Sequence, residues 1–269
     1  MTSISSFFEN LIFRNDSSEL TDTQTRPTVI TVIGSGGKTS LIWLLARTMA
    51  ESSRLSAKKR SILVTPTTKM LPPLASENRY DHFYTGLPVR VEPGITLAGT
   101  LNKQTGKLES FPLPELEKIV PEYDLVLIEG DGAGMKPLKG WAEYEPVVPA
   151  YTVITAGIIP LWPLGMAVSE EIIHRMPQFC AVSGAQAGEN LTPVHISRVI
   201  NGDIYHRRRS LFSAAQGKRV LFLNHTDNPA QVEYGLEIIK LLTDEIRRDL
   251  SGIIIGNIKF NTIEYCTLP

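Results

Sequence analysis

Hydrophobic positions along the chain follow two alternating rhythms. Unbroken apolar runs at 29–33, 62–64 and 152–159, and within "DLVLIEGDG", "RVLFLNHTD" and "GIIIGNIKF", have the length and β-branched content of buried strands. Between them lie helical patterns at 40–50, "LPELEKIV", 170–182, "TPVHISRVI" and "AQVEYGLEIIKLLTDEIRRDL", the last predicted as the longest helix. Thr192 and Pro193 form a start signal, with Thr192 as N-cap and Pro193 at the first helical position. A hairpin is expected from "GITLAGTL" and "GKLESF" around the turn "NKQTG". Strands lacking polar alternation, separated by helices, predict a parallel sheet covered on both faces. The expected architecture is α/β: a P-loop-like three-layer sandwich with a mostly parallel sheet and a small β-rich insertion within 71–111.

The N-terminal pattern differs. "ISSFFENLIF" places Phe7, Phe8, Leu11 and Ile12 on one helical face, so it reads as a short docking helix followed by a polar linker. The expected organisation is therefore helix and linker over 1–26, then one P-loop-like nucleotide-binding domain over 27–269. The uncharged stretch 146–169 is long enough to span a bilayer, but it contains Pro146, Pro149, Pro160 and Pro163. A proline inside a helix costs about 3 kcal/mol, so this segment reads as a core strand with irregular flanks.

Composition narrows the function classes. With 42% hydrophobic and 20% charged residues among 269, the chain can bury a substantial core. A net charge of −1 gives no general attraction to nucleic acid or membrane, and neither is expected as a partner. The two cysteines are far apart, and no secretory pattern opens the chain, so a reducing, cytoplasmic setting is expected. Arg207, Arg208 and Arg209 read as a solvated face, and His82, His195 and His206 lack metal-ligand spacing.

Chemistry first appears in "TVITVIGSGGKTSLIWLLA". Val32 stands where the long form G-x-x-x-x-G-K-[ST] needs glycine, yet a shorter G-x-x-G-K-T is present. That compact form resembles the loop of Mur-type ATP-dependent ligases. Gly34, Ser35, Gly36 and Gly37 are expected to bring backbone amides to phosphate oxygens at a helix start. Lys38 would reach the terminal phosphates, and Thr39 would offer its hydroxyl to Mg²⁺. Glu129 and Asp131, at the end of an apolar strand, are the expected metal and catalytic carboxylates, pointing to different sides. Thr67, Thr68 and Lys69 in "TPTTKM", together with Lys136 and Lys139, lie where an anion could bind. His174 and Arg175 are expected on a helix that could face the site. Asn224 and Asp227 in "FLNHTD" resemble the base-reading N-K-x-D motif, with ATP or GTP left open as the nucleotide.

Together "VIGSGGKTSLIWLLA", "LVTPTTKM", "LVLIEGDGAGMKPLKGWAEYEPVVP", "EIIHRM" and "LFLNHTD" resemble the YqeC-like family, in order and approximate spacing. That resemblance implies a role in maturing selenium-dependent molybdenum hydroxylases, with such an enzyme or its cofactor as partner. It carries the phosphate role over to Gly34, Gly36, Gly37, Lys38 and Thr39. It also implies one site containing Thr67, Thr68, Lys69, Glu129, Asp131, Lys139, His174, Arg175, Asn224 and Asp227. The family stretch usually reads TTTTKM where Pro66 stands here, and N-K-x-D where His225 stands. The expected function is Mg²⁺-dependent nucleotide hydrolysis or phosphoryl or nucleotidyl transfer, with a nucleotide-switched chaperone as the alternative.

Overall fold

The computed structural model describes residues 3–13, 27–54, 59–202 and 209–267. It opens with α1 (Ile4–Phe13), β1 (Thr28–Gly34), α2 (Lys38–Arg54), β2 (Ser61–Pro66) and β3 (Lys69–Met70). Then come β4 (His82–Tyr84), β5 (Gly94–Ala98), β6 (Thr100–Leu101), β7 (Leu108–Glu109), α3 (Leu113–Ile119) and β8 (Leu125–Glu129). They are followed by β9 (Leu138–Lys139), β10 (Ile154–Pro160), β11 (Ile173–His174), α4 (Met176–Ser183) and α5 (Pro193–Asn201). The chain ends with β12 (Lys218–Asn224), α6 (Pro229–Leu241), α7 (Asp244–Asp249), β13 (Leu250–Asn257) and β14 (Thr262–Thr267).

Nine strands form one sheet in the order β14-β13-β12-β10-β1-β8-β2-β5-β4. Every neighbouring pair is parallel except β13–β14. Alternate residues of each central strand enter separate cores, as strand geometry requires. Ile30 and Val32 of β1 pack with Leu41, Ile42, Leu45 and Met49 of α2. On the opposite face, Ile33 joins Phe179 of α4, Ile196 of α5 and Ile238 of α6, and Val29 joins Leu116 of α3. Burial on both faces explains why these strands carry no polar alternation.

The N-terminal helix docks as its pattern predicts. Ile4, Phe7 and Phe8 are buried in the α2-side core, with Leu11 and Ile12 packed against it. A Cβ at Gly252 would lie 2.6 Å from the Phe7 ring, so this glycine opens the space that the ring fills. The Asn261 side chain accepts from Ser5 N (3.1 Å) and donates to Ser5 Oγ (3.0 Å), tying the helix start to the C-terminal strands. The polar stretch read as a linker lies outside the described residues, as do His206, Arg207 and Arg208.

Several local expectations change. The pattern at 94–111 is not one hairpin: β5 joins the main sheet, and only β6 and β7 pair around the turn, with β3 on the other side of β7. The helix expected from 170 starts at Met176, and His174 lies in β11, paired in parallel with β9. Pro177 sits in the first turn of α4, which limits how far the helix can extend backward. The expected longest helix is two helices, α6 and α7, and α2 is longer, with 17 residues. Extended Leu242 ends α6, Thr243 Oγ1 accepts from Ile246 N to start α7, and Arg247 caps the Ile239 and Lys240 carbonyls. The antiparallel edge strand β14 has no counterpart in the sequence reading. The uncharged segment 146–169 contains β10, and no helix among the described residues is long and apolar enough to cross a membrane.

Docking of α1 gives a stability test. Phe8→Ala is expected to lower the unfolding free energy by about 3–5 kcal/mol, the usual loss for deleting a buried phenyl ring. Urea titration followed by circular dichroism measures it, and a loss under about 1 kcal/mol would mean that α1 contributes little to the core.

Candidate functional site

Parallel strands bring the loops following β2, β8, β1, β10, β12 and β13 to one edge of the sheet. Val32 is fully buried within β1, so the strand runs to Gly34 and leaves only a short glycine loop before α2. Gly34, Gly36 and Gly37 all have positive φ, at 96°, 67° and 140°. A side chain at Gly34 would strike the Ile158 carbonyl, one at Gly36 would lie 2.4 Å from the Pro160 ring, and one at Gly37 would lie 2.6 Å from Asn224 Nδ2. The loop is held from neighbouring strands: Ser35 N donates to Ile158 O (3.0 Å), and Asn224 Nδ2 donates to Gly36 O (2.8 Å). Asn224 Oδ1 in turn accepts from Ile258 N at 3.1 Å. The first helical bond of α2 runs from Leu41 N to Gly37 O, so the amides of Lys38, Thr39 and Ser40 precede it. All three residues line a cleft of about 1030 Å³.

Beneath the loop lies a buried network of charges. The fully buried Asp131 carboxylate accepts from Gly34 N (3.0 and 3.1 Å), Trp141 Nε1 (2.8 Å) and Lys139 Nζ (3.1 Å). Lys38 Nζ stands 3.5 Å from the same carboxylate and donates to Gly34 O at 2.8 Å. Lys139 also donates to Gly132 O (2.6 Å) and Glu145 Oε2 (2.8 Å), so its three N–H donors have three acceptors. Arg175 completes the chain by donating to Glu145 Oε2 (2.6 Å) and Tyr144 Oη (3.1 Å).

This arrangement changes two expected roles. Asp131 and Lys139 do not line the cleft; they hold the glycine loop and Lys38 from behind. Their hydrogen-bonding capacity is taken up inside the protein, which leaves Asp131 no free face for a metal and Lys139 no free proton for a substrate. Both brace the loop and its surroundings from inside the protein. Trp141 and Glu145 share this work and were not singled out in the sequence, although both lie in "KGWAEYEPVVP".

Other expected residues meet on the open wall. Thr39 Oγ1 donates to Glu129 Oε2 at 2.8 Å, joining the start of α2 to the end of β8. Burial raises the Glu129 carboxyl above its ordinary value, against the opposing pull of Lys38 and the Thr39 hydroxyl. Thr67 is structural, its hydroxyl donating to Val147 O (2.6 Å) and its amide to Glu129 O (3.0 Å). Thr68 Oγ1 is buried without a partner, while Lys69 pairs with Glu109 at 2.9 Å. His174 lines the cleft, and burial, then the Arg175 and Lys139 cations, lower its imidazole. At the far side Asp227 Oδ1 accepts from Asn257 Nδ2 at 2.8 Å, and its other oxygen takes no hydrogen bond from the described residues. His225 Nδ1 is buried without a partner.

Among the described residues, no group of three or more His, Cys, Asp or Glu side chains forms a metal site of its own. A divalent ion held by Thr39 and Glu129 would need further oxygen ligands from a bound molecule. Backbone strain also concentrates here. Among the described residues, five that are not glycine have positive φ; two are asparagines, and the other three, Met135, Arg175 and His225, all line the cleft.

Comparison with known proteins places the chain in a family. The family described as YqeC protein matches residues 30–177. An uncharacterized protein YqeC from Escherichia coli strain K12 is 30% identical over 246 residues, covering 88% of this chain and 90% of the relative. No solved structure matches. With over half of its length matched by the family and nearly all of it aligned to a relative, the chain belongs to the YqeC family.

Proposed function

We propose that the cleft binds a nucleoside triphosphate with Mg²⁺, and that the glycine loop is a short P-loop. One observation carries this reading: the open amides of the first α2 turn, Lys38 and the Thr39–Glu129 pair all meet at one wall of the cleft. Phosphate oxygens need closely approaching N–H donors and a cation, and the positive end of α2 adds to both. The residue set also fits a metal carried in by its ligand. Mg²⁺ prefers hard oxygens and keeps phosphate or water ligands, so two protein oxygens suffice for a shared site. When bound there, Mg²⁺ would offset charge on the phosphates during hydrolysis or transfer.

The chain's own residues divide the work. Asp131 holds the loop amide and Lys38 so that the ammonium stays beside the phosphate position. Asn224 fixes the loop from the β12 side instead of reading a base, since both ends of its amide are engaged. Asp227 keeps one oxygen for base N–H groups, with ATP or GTP as the nucleotide. The resulting activity is NTP hydrolysis or phosphoryl or nucleotidyl transfer. The family resemblance supplies its cellular setting, maturation of a selenium-dependent molybdenum hydroxylase cofactor.

Calorimetric titration with ATP and GTP, each with and without Mg²⁺, tests this reading. One nucleotide should bind more tightly with Mg²⁺; Lys38→Ala should weaken it at least tenfold, about 1.4 kcal/mol. Because Lys38 also braces the loop, Thr39→Ala is the companion variant, and it should mainly abolish the Mg²⁺ dependence. Folded wild-type protein that binds neither nucleotide would overturn the proposal.

Glu129 yields a pH prediction. Its folded-state pKa is raised, so folded protein keeps a proton that the unfolded chain releases. Its favourable contribution is therefore present below the ordinary carboxyl range and is lost as pH rises through that range to the folded value. Glu129→Gln escapes this loss and can still accept from Thr39. Without nucleotide, the variant should melt higher than wild type at pH 7, by about 2–4 °C for each 1 kcal/mol relieved. The difference should shrink below about pH 4, under the ordinary carboxyl value. With Mg²⁺ and nucleotide the wild type should gain more. Scanning calorimetry across pH checks both signs, and a variant less stable than wild type at pH 7 would count against a ligand role for this costly carboxylate.

A further inference from the structure

The order of strands lays the cleft out along one line. Asn257 and Asp227 follow β13 and β12, the glycine loop follows β1, and Glu129 with residues 130–137 and 67–69 follows β8 and β2. A nucleotide with its base at Asp227 and its phosphates at the glycine loop fills only the first two parts. Its terminal phosphate then lies toward β8 in the strand order, where the cleft is lined by residues 132–137, His174 and Arg175, next to the β9–β11 ribbon.

We propose that this β8–β2 end is a second subsite, which takes a small molecule through its oxyanion group, phosphoryl or carboxylate, while the nucleotide is bound. The inference rests on the nucleotide reading above and extends it. Arg175, Lys136, His174 and Lys69 supply donors around this part of the wall, with Thr68 between them and the loop. Lys69 is paired with Glu109 and Arg175 with Glu145, yet the cleft lining as a whole carries six cations, Lys38, Lys69, Lys107, Lys136, Arg175 and Lys259, against the carboxylates of Glu129, Glu145 and Asp227. In the buried chain behind the wall, three cations, Lys38, Lys139 and Arg175, share two carboxylates, Asp131 and Glu145. Lys139 is enclosed, while Lys38 and Arg175 reach the cleft together with one carboxylate of the chain, Glu145. Among the described residues, the ammonium of Lys136 meets only the Glu170 carbonyl.

Two independent features mark the same wall. Arg175 is held in a left-handed backbone conformation at the start of α4, φ 54°, where a residue with a side chain is strained. A Cβ at neighbouring Gly140 would lie 2.8 Å from Arg175 O, so close packing fixes that conformation and aims the guanidinium at Glu145 and Tyr144. Thr68 Oγ1, buried and without a partner, supplies a hydroxyl that an oxyanion would satisfy. A site meant only for water attack needs neither the guanidinium fork nor the extra ammonium. The position next to the terminal phosphate makes that group, not the α-phosphate, the neighbour of the second ligand.

The test uses full-length protein saturated with Mg²⁺ and a β,γ-imido nucleoside triphosphate, which occupies the terminal phosphate position. Inorganic phosphate and, separately, acetate are then titrated by calorimetry. At least one should bind, and the stronger of the two identifies the phosphoryl or carboxylate source. Arg175→Ala should weaken that binding at least tenfold. Since Arg175 also touches Glu145, Lys136→Ala provides a second reading from an ammonium that bonds only a carbonyl, and should weaken binding about threefold. If the imido nucleotide binds and neither anion does, the second subsite is overturned and the nucleotide reading stands. If the nucleotide itself does not bind, both fall together. Anion binding that is unchanged in both variants also overturns the assignment.

Discussion

The buried Asp131 carboxylate is the interaction on which the site depends. A carboxylate removed from water is costly unless donors surround it. Here the donors come from separate parts of the chain: a loop amide at Gly34, an ammonium from α2, another from β9 and the indole of Trp141. Each donor satisfies the charge, and the charge in return fixes each donor. The glycine loop, Lys38 and the segment leading to Glu145 thereby become one rigid body. Removing any one partner leaves the others buried with an unbalanced charge, so the network has much more to lose than a set of surface pairs.

That arrangement works only because the sheet is parallel and closed on both faces. Parallel pairing of β8, β1 and β10 brings their ends to the same edge, with Val32 beside Glu129 and Ile33 beside Gly157 in register. The α2 core behind β1 then leaves the loop little freedom. Gly36 rests on Pro160 and Gly37 on Asn224, so strand packing and loop conformation are a single constraint. The glycines serve the close approach of neighbouring strands as directly as they serve any ligand.

Much of this was legible in the sequence, and the failures have physical causes. The apolar run, glycine loop and amphipathic α2 declare themselves because period, turn chemistry and helix start coincide over a few residues. Glu129 and Asp131 were expected to point to different sides, and they do, though not through strand alternation. Residues two apart on a strand share a face. They separate because β8 ends at Glu129, and the chain beyond turns Asp131 under the loop. No local pattern distinguishes an acid facing a cleft from one enclosed by donors that arrive from α2, β9 and Trp141. The enclosure of Lys139 is hidden for the same reason, since its three acceptors include Glu145 and Asp131, which are brought together only by folding. Apolar spacing that continues backward past Pro177 makes His174 look helical in the sequence. The two-residue pairing of β11 with β9 is too short to leave a signature.

Several strained or unsatisfied groups meet at the cleft. A carboxyl raised by burial, a threonine hydroxyl and an imidazole nitrogen without partners, and three left-handed residues that are neither glycine nor asparagine all border one cleft. Away from the cleft, Trp43 Nε1, Thr65 Oγ1 and the Tyr123 and Tyr151 hydroxyls are also buried without partners, while other interior hydroxyls are satisfied. Thr31 and Thr152 bond each other inside the core at 2.8 Å, and Thr155 finds the Gln216 carbonyl at 2.7 Å. The polar groups left open are donors and acceptors, the surplus charge is positive, and the glycine loop ends in a helix start. The ligand proposed above, a polyanion with a divalent cation, would meet all three.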